Sequence, residues 1–412
     1  MKNTIRQLLT VLCFFGYSCL LSAQDSGQYL LQLGQKDSLY SKVLKETRTI
    51  YIQLPDSYDA KSEQKYPVAY ILDGELLLPV VHLVQSFYSG GFMPEMILVG
   101  IVNDQNRTRD LTPSKTALST TDSEGEAETF LLFIQQELIP FIDKKYPTTS
   151  YRTLIGHSYA GLFAIYTLLH HPELFANYIA IDPSLDWDGQ KLLKEAKSIL
   201  SKKDYRKKSL YMSLSGQLHP QKPEITIDNV LSASSDFTLF ARSNVLFSNL
   251  VKESKSNGLA FEWEFYKDDL HGTIPLPSIL DGLRTTFQWF QMEQTEKFNN
   301  FETPAAELEK LITYRAKKLE SHFGYQVAPY PEELLNVLGY MSLDMEQTDK
   351  AQLFFELCIE YYPESVNVYD SMADFYEAQQ QYQKALKYAK KADEMSPNET
   401  RKERIKDLQS KK

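Results

Sequence analysis

Short apolar runs alternate with amphipathic stretches from residue 36 to about residue 291, and this alternation limits the fold more than any other feature of the chain. Short, nearly unbroken apolar runs predict strands buried on both faces, whereas apolar residues at helical spacing predict covering helices. The strand-like runs are SLYSKVLKETRTIYIQLP, which divides into two, YPVAYILDGE, EMILVGIVND, RTLIG, NYIAIDPSLDW, KKSLYMSLSG and LAFEWEFYKDD. The alternation predicts an α/β sandwich whose eight strands are mostly parallel, with an antiparallel edge at the N-terminal end.

The strand pattern stops after residue 295, and the rest of the chain is predicted to be helical. Ala351 and Ala385 are 34 residues apart, as are Pro363 and Pro397, and this is the period of tetratricopeptide repeats. Alanine lets paired helices approach closely, and proline ends each unit because it cannot continue a helix. Two repeats are too few to fold alone, so we expect them to pack on the first domain. The charged tail ETRKERIKDLQSKK is predicted to be frayed.

The N-terminal segment MKNTIRQLLTVLCFFGYSCLLSAQ has a basic start, an apolar run and a small residue at its end. This pattern predicts a secretory signal peptide at residues 1–23, cleaved after Ala23. A single N-terminal membrane anchor is the alternative, although the run is short for a bilayer span. Only Cys358 remains after cleavage, which excludes an intrachain disulfide. We therefore expect an exported protein, periplasmic or extracellular, with an α/β domain at residues 24–295 and an all-α tetratricopeptide-like domain at residues 296–412.

The net charge of the whole chain is −10, and its acidic and basic residues are interspersed. A nucleic-acid-binding surface needs a basic patch or stripe, so nucleic acid is not an expected partner. Histidine, cysteine and carboxylate residues do not cluster at the spacings of metal sites, so we expect neither a metal ion nor an organic cofactor.

The segment RTLIGHSYAGLFAIYTLL puts Ser158 between a short strand and a helix. A nucleophile elbow requires this order, because its sharp turn strains the serine and exposes the hydroxyl. Small residues are needed on both sides, where strand and helix nearly collide, and Gly156 and Ala160 meet that need. Ala160 departs from the strict pattern, which has glycine at this position. The context favours Ser158 as a nucleophile over an ordinary turn serine, and it favours an α/β-hydrolase sandwich.

A serine nucleophile needs a base, and His271 is the best placed of the seven histidines. It directly follows the last predicted strand, in YKDDLHGTIPLPS, and Gly272 frees the turn. In this architecture the base lies on that loop and comes last in chain order. His219, in a loop after a strand, is a weaker competitor, and His157 belongs to the backbone of the elbow.

The acid that orients this histidine is harder to choose. In this architecture it typically follows the strand SLYMSLSG, but Gln217 stands in the first position beyond that strand. We predict Asp236 as the acid, although an aspartate at this place is equally suited to be a helix N-cap. Asp182 and Glu224 are the alternatives, Asp228 is a further candidate, and a Ser–His dyad without a strong acid also remains open.

Two backbone N–H groups are predicted to bind the oxyanion that forms during acyl transfer. One is the N–H of Tyr159, which follows the nucleophile, and the other comes from Gly74 or Glu75, after the strand AYILDG. The alternative for this Asp-Gly pair is an ordinary turn.

The stretch NRTRDLTPSKT follows a strand end, where the ligand sites of α/β proteins collect. Arg107 and Arg109 are therefore candidates to clamp an anionic or polyhydroxylated substrate. The alternative is a structural loop with a charged pair to Asp110.

Several stretches together resemble the predicted esterases of the esterase D and enterochelin-esterase type within the α/β hydrolases. They are YILDGE, GIVNDQNRTRDLTPS, FIQQELIPFIDKKYP, RTLIGHSYAGLFAIYTLLHHPELF, DPSLDWD and DLHGTIPLPSILDGLR. The resemblance implies hydrolysis of carboxylic esters by Ser158 with His271 as base, and an oxyanion hole at Tyr159 and the Gly74 region. The family acts on siderophore esters, S-formylglutathione, or feruloyl or acetyl groups on sugars, or transfers mycolyl groups. The resemblance thus implies the type of reaction but does not identify the substrate.

We therefore expect a cofactor-free serine esterase that cleaves a small-molecule or carbohydrate-linked ester and offers its helical repeats to a protein partner. An acyltransferase is one alternative, since it would use the same residues and differ only in admitting an alcohol instead of water. A non-catalytic scaffold acting through the repeats is the other alternative, and the intact Ser158 and His271 argue against it.

Overall fold

The computed structural model describes residues 33–58, 60, 64–117 and 123–411. The predicted signal peptide, residues 1–23, lies outside the described residues. No helix within the described ranges combines the length and the apolar character that a bilayer span requires.

Eight strands form one sheet in the order β1-β2-β4-β3-β5-β6-β7-β8. They are β1 (Gln35–Ser41), β2 (Glu46–Gln53), β3 (Tyr66–Leu72), β4 (Ile97–Ile101), β5 (Thr148–His157), β6 (Asn177–Ile181), β7 (Ser209–Ser215) and β8 (Ala260–Tyr266). The pairs β1–β2 and β2–β4 are antiparallel, and the pairs that join β3 to β8 are parallel. The predicted sheet with its antiparallel N-terminal edge is confirmed.

Alternate side chains of the central strands enter two apolar cores, one on each face of the sheet. Val68, Tyr70 and Leu72 of β3 lie in one core, and Ala69 and Ile71 lie in the other. Every residue of β3, β4 and β6 is buried. Because both faces are covered, these strands appear in the sequence as unbroken apolar runs.

The helices around the sheet cover both cores. The structure describes α1 (Gly74–Tyr88), α2 (Arg107–Leu111), α3 (Ala127–Phe133), α4 (Ile139–Lys145), α5 (Tyr159–His170), α6 (Trp187–Leu200), α7 (Leu239–Glu253) and α8 (Pro275–Thr286). Helices α3, α5, α6 and α7 pack on one face, and α1 and α8 pack on the other. A π-helical turn at Ile134–Leu138 joins α3 to α4.

The rest of the chain is helical, as the sequence predicts. Its helices are α9 (Thr295–Asn299), α10 (Ala305–Phe323), α11 (Glu332–Asp344), α12 (Thr348–Tyr361), α13 (Val366–Ala378), α14 (Tyr382–Met395) and α15 (Glu399–Ser410). Helices α11 and α12 form one packed pair, and α13 and α14 form the next. Ala351 and Ala385 are fully buried between helices, which agrees with their role in close approach.

The charged C-terminal tail is the helix α15 rather than a frayed end, so that prediction is wrong. Asn398 caps the helix by accepting a hydrogen bond from the Arg401 N–H at 2.8 Å. Arg401 pairs with Asp370 at 2.6 Å, and Arg404 pairs with Asp374 at 2.5 Å. Both carboxylates belong to α13, so the tail is ordered by charges that lie elsewhere in the chain.

Helix α10 contributes to two cores at once. Leu308 and Ile312, near its start, pack in the core of the helical repeats. Leu319 and Phe323, near its end, pack in the core beneath α1 and α8. The Phe323 ring lies 5.1 Å from the Trp289 ring, measured between centroids. The predicted domain boundary stays a prediction, and this helix completes an apolar core on either side of it.

Candidate active site

Ser158 occupies the sharp turn between β5 and α5. Its backbone has φ 62° and ψ −117°, a strained conformation for a residue with a side chain. The turn is held by two backbone hydrogen bonds, from the Ser158 N–H to the Ile181 carbonyl at 3.0 Å and from the Leu162 N–H to the Ser158 carbonyl at 2.9 Å. This geometry is that of a nucleophile elbow.

Gly156 is required by the close approach of β5 and α5. A Cβ atom at this position would lie 2.3 Å from the Ala160 carbonyl oxygen, which is too close for any side chain. Ala160 itself is fully buried. The methyl group of Ala160, where the usual elbow pattern has glycine, therefore fits because Gly156 across the turn has no side chain.

His271, in the loop between β8 and α8, lies against the serine. Its Nε2 is 3.0 Å from Ser158 Oγ. The backbone N–H of His271 donates to Gln217 Oε1 at 3.3 Å, so the glutamine after β7 helps to fix the loop that carries the histidine. The ring of Phe240 meets the imidazole edge-on at 5.4 Å. The structure thus brings together the two residues that the sequence paired.

The carboxylate on the other side of His271 belongs to Asp182. Its Oδ2 is 2.7 Å from His271 Nδ1, and its Oδ1 accepts a hydrogen bond from the Ser215 N–H at 3.0 Å. Asp182 is fully buried and has φ 44°. Because a carboxylate only accepts, Nδ1 must carry the proton, which leaves Nε2 free to accept from the Ser158 hydroxyl.

The structure therefore places Asp182, and not the predicted Asp236, against His271. Asp236 is exposed and begins a short 3₁₀ turn before α7, and Glu224 and Asp228 are also exposed. Strand β6 lies directly beside β5, so the residue that follows β6 emerges next to the elbow. The position of Asp182 immediately after a buried strand was the available signal, but strand order was needed to interpret it.

His157 lies against His271, and the centroids of their rings are 4.6 Å apart. Burial, and next the charge of His271, lower the pKa of His157 to about 4. His157 is therefore neutral near pH 7. Together with Asp182 and His271 it forms a group whose ligand-type atoms lie within 4.8 Å of one another. A cation held there would compete with the Asp182–His271 hydrogen bond.

The two predicted oxyanion donors each stand at the start of a helix. Tyr159 is the first residue of α5, and Gly74 is the first residue of α1, so their N–H groups belong to the orphan donors of helix N-termini. A Cβ atom at Gly74 would lie 2.4 Å from Gly100 Cα, which explains the glycine. Burial raises the pKa of the Glu75 carboxyl above its usual value. Assignment of Gly74 or Glu75 as the second donor stays a prediction.

Arg107 connects these two helix starts. Its Nε and Nη2 donate to Asp73 Oδ1 at 2.9 Å and Oδ2 at 2.8 Å, and Nη2 also donates to the His157 carbonyl at 3.1 Å. Asp73 has a left-handed backbone, with φ 50°, immediately before α1. The guanidinium group also lies over the Tyr159 ring, 5.4 Å from its centroid. One side chain thus joins the turn before α1 to the elbow.

The predicted substrate clamp of Arg107 and Arg109 is not what the structure has. Arg109 pairs with Glu46 at 2.7 Å and with Asp110 at 2.7 Å, so its donors are used inside the protein. The alternative, a structural loop with a pair to Asp110, describes Arg109 correctly. Arg107 borders the site, but its guanidinium group is held in a bidentate pair with Asp73, so we propose that it positions the site rather than binding substrate as a free cation.

We expect Arg107→Gln to lower kcat for an activated ester by about 10²-fold, because small misplacements of catalytic groups cost this much. Glutamine cannot make the bidentate pair, so the turn at Asp73 and the elbow lose their common tie. Steady-state kinetics with p-nitrophenyl acetate checks the loss, and circular dichroism checks the fold. Arg206→Gln is the control, since Arg206 is an arginine on the surface that pairs with its near neighbour Asp204. Equal kcat values for the parent and Arg107→Gln would disprove the positioning role.

The eight-stranded sheet, with its strand order, carries a serine elbow and a histidine after the last strand, both at its carboxyl edge. This combination defines the α/β-hydrolase fold. Residues 41–224 match the family model described as "Putative esterase". Residues 332–365 and 366–399 each match the model of a tetratricopeptide repeat. The resemblance to predicted esterases of this type, with an appended tetratricopeptide segment, is confirmed.

Several similar proteins are siderophore esterases. The chain is 30% identical over 171 residues to the siderophore enterobactin esterase of Emericella nidulans, a match that covers 39% of this chain and 56% of that protein. It is 29% identical over 177 residues to the ferri-bacillibactin esterase BesA of Bacillus subtilis, covering 38% of this chain and 61% of that protein. The chain thus spans about three fifths of the length of these curated relatives.

A solved structure of similar fold is that of an IroE-like serine hydrolase from Shewanella oneidensis. The match has a TM-score of 0.63 and 29% identity, and covers 79% of this chain and 99% of that one. It confirms the predicted fold of the first domain.

Proposed function

We propose that this chain is a carboxylic ester hydrolase in which Ser158 is the nucleophile, His271 the general base and Asp182 the orienting acid. The hydrogen-bonded series from Ser158 Oγ through the His271 imidazole to Asp182 carries the proposal, with distances of 3.0 Å and 2.7 Å. The match of residues 41–224 to an esterase family supports the reaction class. Serine, histidine and aspartate in this order of contact are the parts that acyl transfer requires.

In the first half-reaction, Ser158 Oγ attacks the ester carbonyl carbon while His271 Nε2 takes the hydroxyl proton. The carbonyl oxygen becomes an oxyanion, for which we propose the N–H of Tyr159 and one N–H at Gly74 or Glu75 as donors. The bond to the alcohol oxygen then breaks, and the proton passes from His271 to the departing alcohol. Asp182 remains ionised and stabilises the imidazolium that forms between these two transfers.

In the second half-reaction, water attacks the acyl group on Ser158. His271 takes a proton from the water and returns it to Ser158 Oγ as the acyl–enzyme bond breaks. The products are a carboxylic acid, an alcohol and the original enzyme. Burial lowers the pKa of His157 to about 4, so this residue is neutral near pH 7. The proton transfers are therefore assigned to His271.

We extend the proposal to the class of ester substrate, the cellular location of the protein and its domain organisation. The relatives described as siderophore esterases make esters of this kind the first to test, and carbohydrate-linked esters follow. The predicted signal peptide supports an exported protein, periplasmic or extracellular. We also propose an esterase domain at residues 24–295, and a tetratricopeptide-like domain at residues 296–412 that binds a protein partner.

Covalent labelling with a fluorophosphonate probe tests the proposed nucleophile. The probe phosphonylates a serine that has an activated hydroxyl, with loss of fluoride, and peptide mass spectrometry locates the adduct. We expect one adduct per chain on Ser158, and strongly slowed labelling in His271→Ala. Ser184 is the internal control, because its hydroxyl lies 3.4 Å from that of Ser158 but lacks a hydrogen bond to His271. Labelling of another serine, or none in the folded parent, would contradict the proposal.

A further inference from the structure

His157 is a half-buried histidine that the proposed reaction does not use. It lies between Gly156 and the proposed nucleophile, and its ring is tilted by 41° against that of His271, with centroids 4.6 Å apart. Its Nε2 atom is buried and has no hydrogen-bond partner among the residues that the structure describes. A buried polar atom without a partner costs free energy, so its place beside the reacting groups needs an explanation.

Three residues of the site bring possible metal ligands together. His157, Asp182 and His271 each offer one nitrogen or oxygen atom, and these atoms all lie within 4.8 Å of one another. Imidazole nitrogen and carboxylate oxygen are both ligands of Zn²⁺, and two histidines with one carboxylate are a ligand set that proteins use for this ion. The three residues are far apart in the chain, so their spacing in the sequence does not indicate a metal site.

The sheet holds two of these ligands in place. His157 is the last residue of β5, and Asp182 is the first residue beyond the adjacent strand β6. The Arg107 Nη2 donates to the His157 carbonyl at 3.1 Å. The Ser215 N–H donates to Asp182 Oδ1 at 3.0 Å, which fixes the carboxylate with Oδ2 towards His271. Hydrogen bonds of this second kind orient the ligands of metal sites.

His271 is the ligand that can move. Its side chain is 39% exposed, and it lies on a loop rather than on a strand. With bonds of about 2.1 Å to nitrogen and oxygen, the ligand atoms around a tetrahedral zinc ion are about 3.4 Å apart. The three atoms must therefore approach one another by roughly 1 Å, which rotation of the His271 ring supplies. The same rotation opens a path to the buried Nε2 of His157.

A metal ion on His271 would stop the proposed reaction whichever ring nitrogen it binds. A neutral imidazole has one N–H and one nitrogen lone pair. An ion on Nε2 occupies the lone pair that has to accept the Ser158 proton. An ion on Nδ1 breaks the hydrogen bond to Asp182, and the ring proton then resides on Nε2, which can no longer accept. In both cases water molecules leave the ion as the protein ligands bind, and nothing is oxidised or reduced.

We propose that His157, Asp182 and His271 form an inhibitory binding site for Zn²⁺, and that occupation of this site switches the hydrolase off reversibly. The proposal rests on the proposed ester hydrolysis and names a regulation of that same site. The ion acts as an inhibitor and not as a cofactor, since catalysis by Ser158 requires a free His271. The ligand role of His157 distinguishes this site from a single histidine that binds zinc by itself.

Inhibition by zinc tests the proposal in the full mature chain. Initial rates with p-nitrophenyl acetate are measured over a range of free Zn²⁺ concentrations, after subtraction of the rate without enzyme. EDTA is added afterwards, and Mg²⁺ is the comparison ion. His157→Gln removes one ligand, and circular dichroism checks its fold. His157→Asn replaces it if the longer side chain is not accommodated.

His171→Gln is the matched control for this substitution. His171 is also a half-buried histidine beside carboxylates, since its nitrogens lie 3.4 Å from Glu128 and 3.5 Å from Glu173. The inhibition constant of each variant is determined from its rates relative to its own rate without zinc, so that a change in basal activity does not enter the comparison.

We expect Zn²⁺ to inhibit the parent, EDTA to restore the rate, and Mg²⁺, which prefers oxygen ligands, to have no effect. His157→Gln should raise the inhibition constant for zinc by about tenfold or more, since even the loss of a residue that only supports a ligand costs that much. His171→Gln should leave the constant unchanged. Full activity of the parent in excess zinc, or equal inhibition constants in the parent and His157→Gln, would overturn the proposal.

Binding of Co²⁺ to Ser158→Ala separates this proposal from that of ester hydrolysis. The variant keeps all three ligands and needs no activity, and four-coordinate Co²⁺ has visible absorption bands. We expect these bands in Ser158→Ala, their displacement by Zn²⁺, and their loss when His157→Gln is added. If they appear and no ester is turned over, the metal site stands and the hydrolase proposal fails. If Ser158 turns over esters and neither bands nor inhibition is found, the hydrolase proposal stands and the metal site fails.

Discussion

Ser158→Ala is expected to lower kcat for p-nitrophenyl acetate by about 10⁴-fold or more, because no acyl-enzyme can form without the hydroxyl. Among the described residues, the Ser158 hydroxyl forms hydrogen bonds with His271 and Ser184, so the loss should fall on catalysis and not on folding. The strained backbone at this position comes from the elbow and not from the side chain, so it is retained in the variant. Initial rates over a range of substrate concentrations, with circular dichroism for the fold, check the expectation.

Ser184→Ala is the matched control for this variant. Ser184 carries the same functional group 3.4 Å away and keeps its backbone hydrogen bond to Ser158 when the hydroxyl is removed. We expect its kcat to stay within about tenfold of the parent, since its hydroxyl has no base. Substantial turnover by Ser158→Ala, or an equal loss in Ser184→Ala, would contradict the assignment of the nucleophile.

Asp182→Asn is expected to reduce kcat by about 10⁴-fold, as the loss of the orienting carboxylate does in serine–histidine–aspartate sites. An asparagine amide can donate to His271 Nδ1, which would put the ring proton on Nε2, and Nε2 could then no longer accept the proton of Ser158. The volume of the side chain is nearly unchanged, so the Ser215 N–H can still donate to the remaining carbonyl oxygen. The variant thus alters the tautomer of His271 more than the packing around it.

The comparison with Asp236→Asn decides which aspartate is the acid. Asp236 is exposed and forms no hydrogen bond with His271, so we expect this variant to keep the parent kcat within about twofold, as surface substitutions do. Measurement of kcat for the two variants at the same pH is sufficient. If Asp236→Asn loses activity and Asp182→Asn does not, the original choice of Asp236 was right and the geometry at Asp182 has another purpose.

The sheet was predictable because burial on both faces leaves a direct trace in the sequence. Every position of the strand YPVAYIL is apolar because neighbouring residues, such as Tyr70 and Ile71, enter cores on opposite faces of the sheet. A helix of this length would not need an apolar residue at every position. Ser158 and His271 were predictable for a related reason. Ser158 stands directly between a strand and a helix, and His271 lies in the loop after the last strand, next to Gly272, so local sequence marks both.

The acid and the role of Arg107 depend on contacts that local sequence does not contain. Asp182 reaches His271 because β6 lies beside β5 in the sheet, and the order of strands follows from the packing of the whole domain. Arg107 pairs with Asp73, which lies 34 positions earlier in the chain, and its motif fits a substrate clamp equally well.

The helix α10 has a thermodynamic consequence for the molecule as a whole. Its first turns are buried in the helical repeats and its last turns beneath the sheet domain, so neither part can lose its core without exposing apolar surface of the other. We therefore expect the two parts to unfold in a single cooperative transition rather than in two. We therefore expect the free energy of unfolding of the repeats to depend on that of the sheet domain, so that a destabilising substitution in either part lowers the stability of both.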